Sequence, residues 1–363
     1  MTPVRVHILT DGCPDFTDNA NGTFTVHNAL IGKGFHWHSR RSLTFKGTPE
    51  VIDGKLIETI DIEDYISSVI ASEMNPDAPE EFLKAHAVIS RSWVLGKVLR
   101  VHADLSSNGK CHTPNRIIDW NDTADHSGFD ICNDDHCQRY QGLPSSEKRL
   151  LAARNATDAT KGLILADRDG IVADARFSKC CGGKTEIFST CWQDTDPHYL
   201  RSFADPHCDL SDMTEDEKNA FLSSVLNDYD RNTDLSHWYR EVSSEAIKMR
   251  LNEVCDTSFD SLLSITPVAI SSAGRIREMK FTFANGEITV GKELMIRRIF
   301  SDTHLLSAYF TIARDGDRYI LDGKGWGHGV GLCQIGAARM ALTGASFHEI
   351  LSFYYPSAIL KQI

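Results

Sequence analysis

The chain has 363 residues and is acidic, with 50 aspartates and glutamates against 38 lysines and arginines, a formal net charge of −12. That balance argues against a nucleic-acid protein and against strong binding to anionic lipid, and leaves neutral polymers as acceptable partners. No apolar run approaches the length of a membrane span, and the start Met1-Thr2-Pro3-Val4-Arg5-Val6-His7-Ile8 lacks the apolar core of a secretory signal, so either a signal has been removed or the chain is cytoplasmic.

The order of elements predicts an α+β fold, as one large domain or two smaller ones. Residues 1–60 alternate apolar and polar positions between turns, as in Thr23-Phe24-Thr25-Val26 and Ser42-Leu43-Thr44-Phe45, and read as a β-rich part. A core over residues 61–210 opens with a helix in which Ile62, Tyr65, Ile66, Val69 and Ile70 recur at helical spacing. Pro76 and Pro79 break it, and Phe82, Ala85, Ile89 and Trp93 set up a second helix. Glu73 falls in the last turn of the first helix, where the dipole disfavours a carboxylate by about 0.3–1 kcal/mol. Beside apolar Met74, that placement is expected to raise its pKa, as a general acid needs near neutral pH. A solvated surface glutamate is the competing reading.

Ten cysteines stand in a chain too long to need disulfide staples for its core. Within residues 108–142, His126, Cys132, His136 and Cys137 put two imidazoles and two thiolates close together in sequence. Three of them can meet at one tetrahedral zinc with a fourth position open. The spacing is not that of a standard finger, and a Cys132–Cys137 disulfide or buried thiols are alternatives. Residues 147–161 read as helix, and 163–165 with 171–173 as a hairpin around Asp169-Gly170. The stretch Ser178-Lys179-Cys180-Cys181-Gly182-Gly183-Lys184-Thr185-Glu186 reads as a strand entering a tight turn, with Thr185 and Glu186 as candidate substrate contacts or as the end of a plain hairpin.

Residues 211–262 are charged and read as a helical inserted lobe, with Trp238 and Tyr239 as buried candidates. A C-terminal part over 263–363 returns to strands, including Glu278-Met279-Lys280-Phe281-Thr282-Phe283 before the turn at Asn285-Gly286. It then enters Gly325-Trp326-Gly327-His328-Gly329-Val330-Gly331, a loop whose alternating glycines allow sharp turns and close approach. No frame through it gives a dinucleotide or P-loop fingerprint, so nucleotide binding is not expected. From Gln334 the loop feeds a helix ending at Thr343-Gly344, and Ser346 with Glu349 forms a capping box for a last helix reaching Tyr354. Trp326 can stack on a sugar ring and His328 can hydrogen-bond a hydroxyl or acetamido group, against the alternative of a core tryptophan beside a satisfied histidine. Gln334 and Tyr354 complete the candidate substrate contacts.

Four islands carry a family resemblance. They are Asp64-Tyr65 with Ser72-Glu73-Met74, Leu83-Lys84-Ala85-His86-Ala87-Val88 and Arg91-Ser92; Cys181-Gly182-Gly183-Lys184-Thr185-Glu186; Ile296-Arg297-Arg298; and the glycine loop with Tyr354-Tyr355-Pro356. In this order they resemble the SpoIID/LytB family of bacterial peptidoglycan proteins. Ser357 stands where that family often has glycine and Cys333 where serine is common, and Cys333 is expected only to pack. The resemblance implies a mixed fold with small β elements around a helical catalytic segment and a cleft. It implies a lytic transglycosylase that cleaves MurNAc–GlcNAc strands, prefers strands stripped of stem peptides, and leaves 1,6-anhydro ends. Glu73 would serve first as acid and then as base, whereas ordinary glycosidases use two carboxylates.

The same resemblance implies zinc on His126, Cys132 and Cys137, with His136 ranked lower, and places Thr185, Glu186, Trp326 and His328 along the cleft. Partners would be peptidoglycan glycan strands and a cell-wall amidase, and the location the cell envelope. Two other functions stay open: a zinc amidase or peptidase with Glu73 as base, and a non-catalytic glycan-binding enhancer of an amidase. Thiol catalysis by Cys333 or Cys181 lacks a readable base-orienting arrangement.

Overall fold

Helix α1 (Ile62–Glu73) and helix α2 (Glu80–Val98) lie where the apolar spacing and the Pro76/Pro79 break put them. The structure is a computed structural model, and it describes residues 2–34, 37–99, 109–120, 126–134, 137–226 and 235–363. Asp61 caps α1 by accepting from the Glu63 backbone N–H, and Met74 closes it through a bond to the Ile70 carbonyl. From Tyr65 to Glu73 every residue of α1 is buried, Ser67, Ser68 and Ser72 included, because α2 and α3 (Glu147–Ala159) both pack against it. Ser72 meets this burial by donating to the Ser68 carbonyl and accepting from the Gln141 N–H. Arg91 on α2 is fully buried and fork-pairs with Glu63 at 2.9 and 2.7 Å, while another of its nitrogens donates to the Leu163 carbonyl. Such a pair fixes the register of α1 against α2 more than it adds net stability.

The N-terminal part is made of strands, as its alternation predicts. One sheet has the order Thr48–Ile52, Lys55–Asp61, Pro3–Ile8, Ile131–Cys132, and a second runs Phe16–Asp18, Phe24–Ile31, Ser39–Phe45. The parallel pairing of Pro3–Ile8 with Ile131–Cys132 sets His7 opposite Cys132 and brings the cysteine loop back to the first strand.

Two large apolar clusters and a small one form the core of the described residues. The largest joins residues from Val4 to Leu235 with the C-terminal residues 326–355, the second runs from Trp238 to Leu321, and the small one holds Ile57, Phe129 and Cys132. Within the described residues, 211–262 is not helical throughout: α4 (Glu215–Val225) packs into the largest cluster, strand Trp238–Ser243 pairs with Arg318–Gly323, and α5 (Ser244–Cys255) packs into the second one. The two-residue period of that strand separates its aromatics, so Trp238 is buried while Tyr239 is 47% exposed. Leu163–Ala166 likewise pairs mainly with Ile359–Gln362 at the chain's end, and its predicted hairpin partner contributes a single bridge, Ala166 to Val172.

The hairpin Ile276–Phe283 to Gly286–Gly291 forms as the Asn285-Gly286 signal predicts, in a five-stranded sheet of order Leu262–Ile270, Ile276–Phe283, Gly286–Gly291, Arg116–Ile118, Cys111–Thr113. A short helix α6 (Glu293–Ile299) follows it. At the end, α7 (Gln334–Leu342) and α8 (Phe347–Tyr354) occur as expected, and both halves of the Ser346/Glu349 capping box are made.

Candidate active site

Helix α1 delivers Glu73, its last residue, to the edge of a cleft of about 560 Å³. Glu73 is 9% exposed, and its Oε1 accepts from the Arg139 backbone N–H at 3.0 Å. Five of the chain's six tryptophans, Trp37, Trp93, Trp120, Trp192 and Trp326, line the same cleft, although they are scattered along the sequence. The rings of Trp37 and Trp326 are 6.2 Å apart, and the Arg139 guanidinium stands 5.3 Å from the Trp37 ring. Arg176 is forked onto Asp174 at 2.7 and 2.9 Å, and its guanidinium lies 4.1 Å from the Trp192 ring, which makes it a fixed flat cation in the wall.

The cleft is basic on an acidic chain. Lys33, Arg139, Arg176, Lys179, Arg297 and Arg298 line it against Glu73, Asp134 and Glu293, and Glu293 is itself 3.3 Å from Arg297. Low-dielectric walls focus such a field on whatever enters.

On one side of the cleft His126, Cys132 and Cys137 each offer a donor atom within 4.8 Å of the others. Cys132 and Cys137 sulfurs are 3.7 Å apart and His126 Nε2 is 3.8 Å from the Cys137 sulfur. Ligands about 2.0–2.3 Å from a tetrahedral zinc stand about 3.3–3.8 Å from one another, so the spacing fits one ion and is too long for a disulfide. His126 Nδ1 is 3.1 Å from the Asp130 carbonyl, the outer hydrogen bond that leaves Nε2 as the ligating nitrogen. All three line the cleft with Glu73, and His136 lies outside the described residues.

The glycine loop is built around arginines. Gly329 (φ +76°) faces the fully buried Arg275 guanidinium, 2.3 Å from where a Cβ would sit, and Gly331 (φ +72°) faces the Arg176 carbonyl at 2.0 Å. Only glycine tolerates both that backbone and that approach. His328 Nδ1 accepts from the Val330 N–H at 3.0 Å, which puts the ring proton on Nε2, and the ring meets Trp192 edge-on at 4.9 Å. Although part of His328 is exposed to the cleft, burial and then Arg176, Arg275 and Arg297 hold its pKa well below the ordinary histidine value. It is a neutral ring shaping the wall. Gln334, at the start of α7, donates to His86 Nε2 at 3.0 Å, and burial lowers the His86 pKa to about 3, so this imidazole is a permanent acceptor.

A family model described as Stage II sporulation protein matches residues 53–166, the span that carries α1, Glu73, α2 and the cysteine loop. Over 330 residues the chain is 25% identical to stage II sporulation protein D of Bacillus subtilis, covering 89% of this chain and 82% of that one. Over residues 53–166 the chain is thus similar to the SpoIID/LytB family. It is also 28% identical over 233 residues to the amidase enhancer of Bacillus subtilis, and 27% identical over 300 residues to an uncharacterized protein of Brachyspira hyodysenteriae. Those matches take in 56% and 83% of this chain but 32% and 66% of the relatives, so the chain spans about a third of one and just under two thirds of the other. A second model, a domain of unknown function (DUF8618), matches residues 186–331 and so contains the second apolar cluster.

The structure brings Glu73, Trp326, His328 and Gln334 to one cleft with the His126, Cys132 and Cys137 group. It does not bring three other expected substrate contacts there. Thr185 is fully buried and donates to the Arg201 carbonyl, and Glu186 is fully buried with its carboxylate taken by the Ser271 hydroxyl and the Ile187 N–H. Tyr354 is fully buried and donates to Asp205. These polar groups turn inward to satisfy loops behind the cleft. Arg176, Trp37, Trp93, Trp120 and Trp192 line the cleft and were not singled out for it, and His86, which sat inside a quoted island, is buried behind it against Gln334.

Proposed function

We propose that this chain is a peptidoglycan lytic transglycosylase acting on MurNAc–GlcNAc strands, with Glu73 as its single acid and base. The observation that carries the reading is the sharing of one cleft by Glu73 and five tryptophans, since indole faces stack on pyranose rings and a buried carboxyl beside them can reach a glycosidic oxygen. Glu73 would protonate the leaving oxygen and then accept the proton of the substrate's own C6 hydroxyl as it closes on C1, which gives a 1,6-anhydro end without a second carboxylate. The basic lining supports a preference for strands stripped of stem peptides, because removing the peptide frees the lactyl carboxylate of each MurNAc and makes the strand anionic.

Zinc fits His126, Cys132 and Cys137, and when bound it would supply a fixed positive charge and hold the loop leading to Arg139. The chain's own residues do the rest: the Arg139 N–H orients Glu73, and Arg176 and the indoles position sugar rings. The test is digestion of denuded and peptide-bearing strands by wild type and Glu73→Gln, read by mass spectrometry. Anhydro-muramyl products lost in the variant support the reading. Strand binding without cleavage by either protein would favour a glycan-binding enhancer of a cell-wall amidase, a reading in line with the name amidase enhancer carried by one relative, and peptide release without anhydro sugar would favour a zinc amidase.

A further inference from the structure

Cys181, Asp205, Cys208 and Cys333 are all buried, and one donor atom from each lies within 4.8 Å of the others. They come from three stretches of chain: Cys181 follows strand Phe177–Ser178, Asp205 and Cys208 flank and end the 3-10 turn Pro206–Cys208, and Cys333 closes strand Leu332–Cys333 and precedes α7. Cys181 Sγ is 3.3 Å from Asp205 Oδ2, and the Cys181 N–H donates to Cys333 Sγ at 3.2 Å. The Sγ–Oδ2 separation is that of two ligands on one tetrahedral ion, about 3.3–3.8 Å apart, and the remaining donor atoms stand within 4.8 Å, close enough to converge on the same point.

Asp205 carries the argument further. It is 1% exposed and, among the described residues, has no ion pair; its oxygens accept only from the His207 N–H, the Tyr354 hydroxyl and the Cys181 thiol. A carboxylate buried beside three thiols without a cation is costly, and a bound cation removes that cost. Helix α7 packs directly on this group: a Cβ on Gly336 would stand 2.6 Å from Asp205 Oδ2 and 2.2 Å from the Tyr354 oxygen, so only glycine leaves room there. A fourth sulfur, Cys180, is 3.4 Å from Cys208 Sγ but donates to the Leu235 carbonyl, as an outer thiol would.

We propose that Cys181, Asp205, Cys208 and Cys333 form a second zinc site, closed and structural, distinct from the His126, Cys132 and Cys137 group. Three sulfurs and one oxygen complete a tetrahedron with no open position, so the ion would staple rather than catalyse. Loading ionises the three thiols and releases their protons to solvent. The staple joins the Cys180 segment, which exchanges backbone hydrogen bonds with Trp326, to the start of α7, where Gln334 enters the cleft wall. It holds whether or not Glu73 cleaves glycan.

The test is metal analysis of the full chain purified without chelators. About two zinc ions per chain are expected, falling to about one in Cys208→Ser/Cys333→Ser and to about one in Cys132→Ser/Cys137→Ser. A double variant of either pair that keeps the wild-type zinc content overturns the assignment of that pair alone, so the two sites fail separately. Should the inner variant not fold, differential alkylation of wild type decides: Cys181, Cys208 and Cys333 are expected to be protected until a zinc chelator is added, while Cys255, buried in the second apolar cluster, does not change its reactivity. Equal labelling with and without chelator, or a Cys180–Cys208 disulfide on peptide mapping, overturns the proposal.

Discussion

The backbone N–H of Arg139 donates to Oε1 of Glu73 across 3.0 Å, and Arg139 stands two residues after Cys137. The candidate acid is therefore oriented by the same loop that carries the candidate zinc ligands, although the two are far apart in sequence.

Glu73→Gln keeps an oxygen for that N–H but has no acidic proton to transfer. Cleavage of denuded strands is expected to fall by about 100- to 10,000-fold with the melting temperature nearly unchanged. A variant that retains anhydro-muramyl release would remove Glu73 from the mechanism.

Loss of the outer zinc should act through Arg139. Cys137→Ser is expected to lower zinc content by about one ion per chain and the rate by about 10- to 100-fold. Added zinc should restore a chelated wild type and not the variant, as measured by product release over a zinc titration.

The basic wall should matter for binding rather than for chemistry. Lys179→Gln is expected to raise KM for denuded strands by about 3- to 10-fold at low salt, with kcat unchanged and the difference shrinking as salt is raised. An equal effect on neutral oligosaccharides would count against charge recognition.

Gly331→Ala places a Cβ at 2.0 Å from the Arg176 carbonyl on a backbone of φ +72°. Destabilisation of about 2 kcal/mol or more is expected by chemical denaturation. Gly344→Ala has a comparable φ of +97° with nothing within 4 Å, and should cost about 1 kcal/mol, which separates the clash from the backbone strain.

Glu58 is fully buried, accepts from the Tyr140 hydroxyl at 2.7 Å, and is pushed by burial from 4.5 to about 7. Between those values the folded state holds a proton that the unfolded chain has released. Stability from this group is therefore fully present below about 4.5 and is lost as pH rises through about 7, by an amount on the order of 3 kcal/mol. Glu58→Gln should flatten that part of the stability curve, measured by urea unfolding from pH 4.5 to 8, and an unchanged slope would assign it to another group.

Features set by neighbours a few residues away were legible before the fold was known. The α1 and α2 spans follow from apolar spacing and two prolines, and the α8 start from a capping box; the short loop offered four candidate ligands, and the choice of His126, Cys132 and Cys137 among them came from the family resemblance. Tertiary structure decided what depends on long returns of the chain. Five tryptophans scattered from residue 37 to residue 326 meet in one cleft, Cys333 meets Cys181 and Cys208 where only packing was expected, and two arginines fill the spaces the loop glycines leave. The side on which Thr185, Glu186 and Tyr354 face was likewise open, because a polar side chain next to a turn can serve a ligand or a buried carbonyl equally well. Helix period and capping are fixed by bonds between near neighbours, whereas which polar groups turn inward is fixed by which distant backbone needs them.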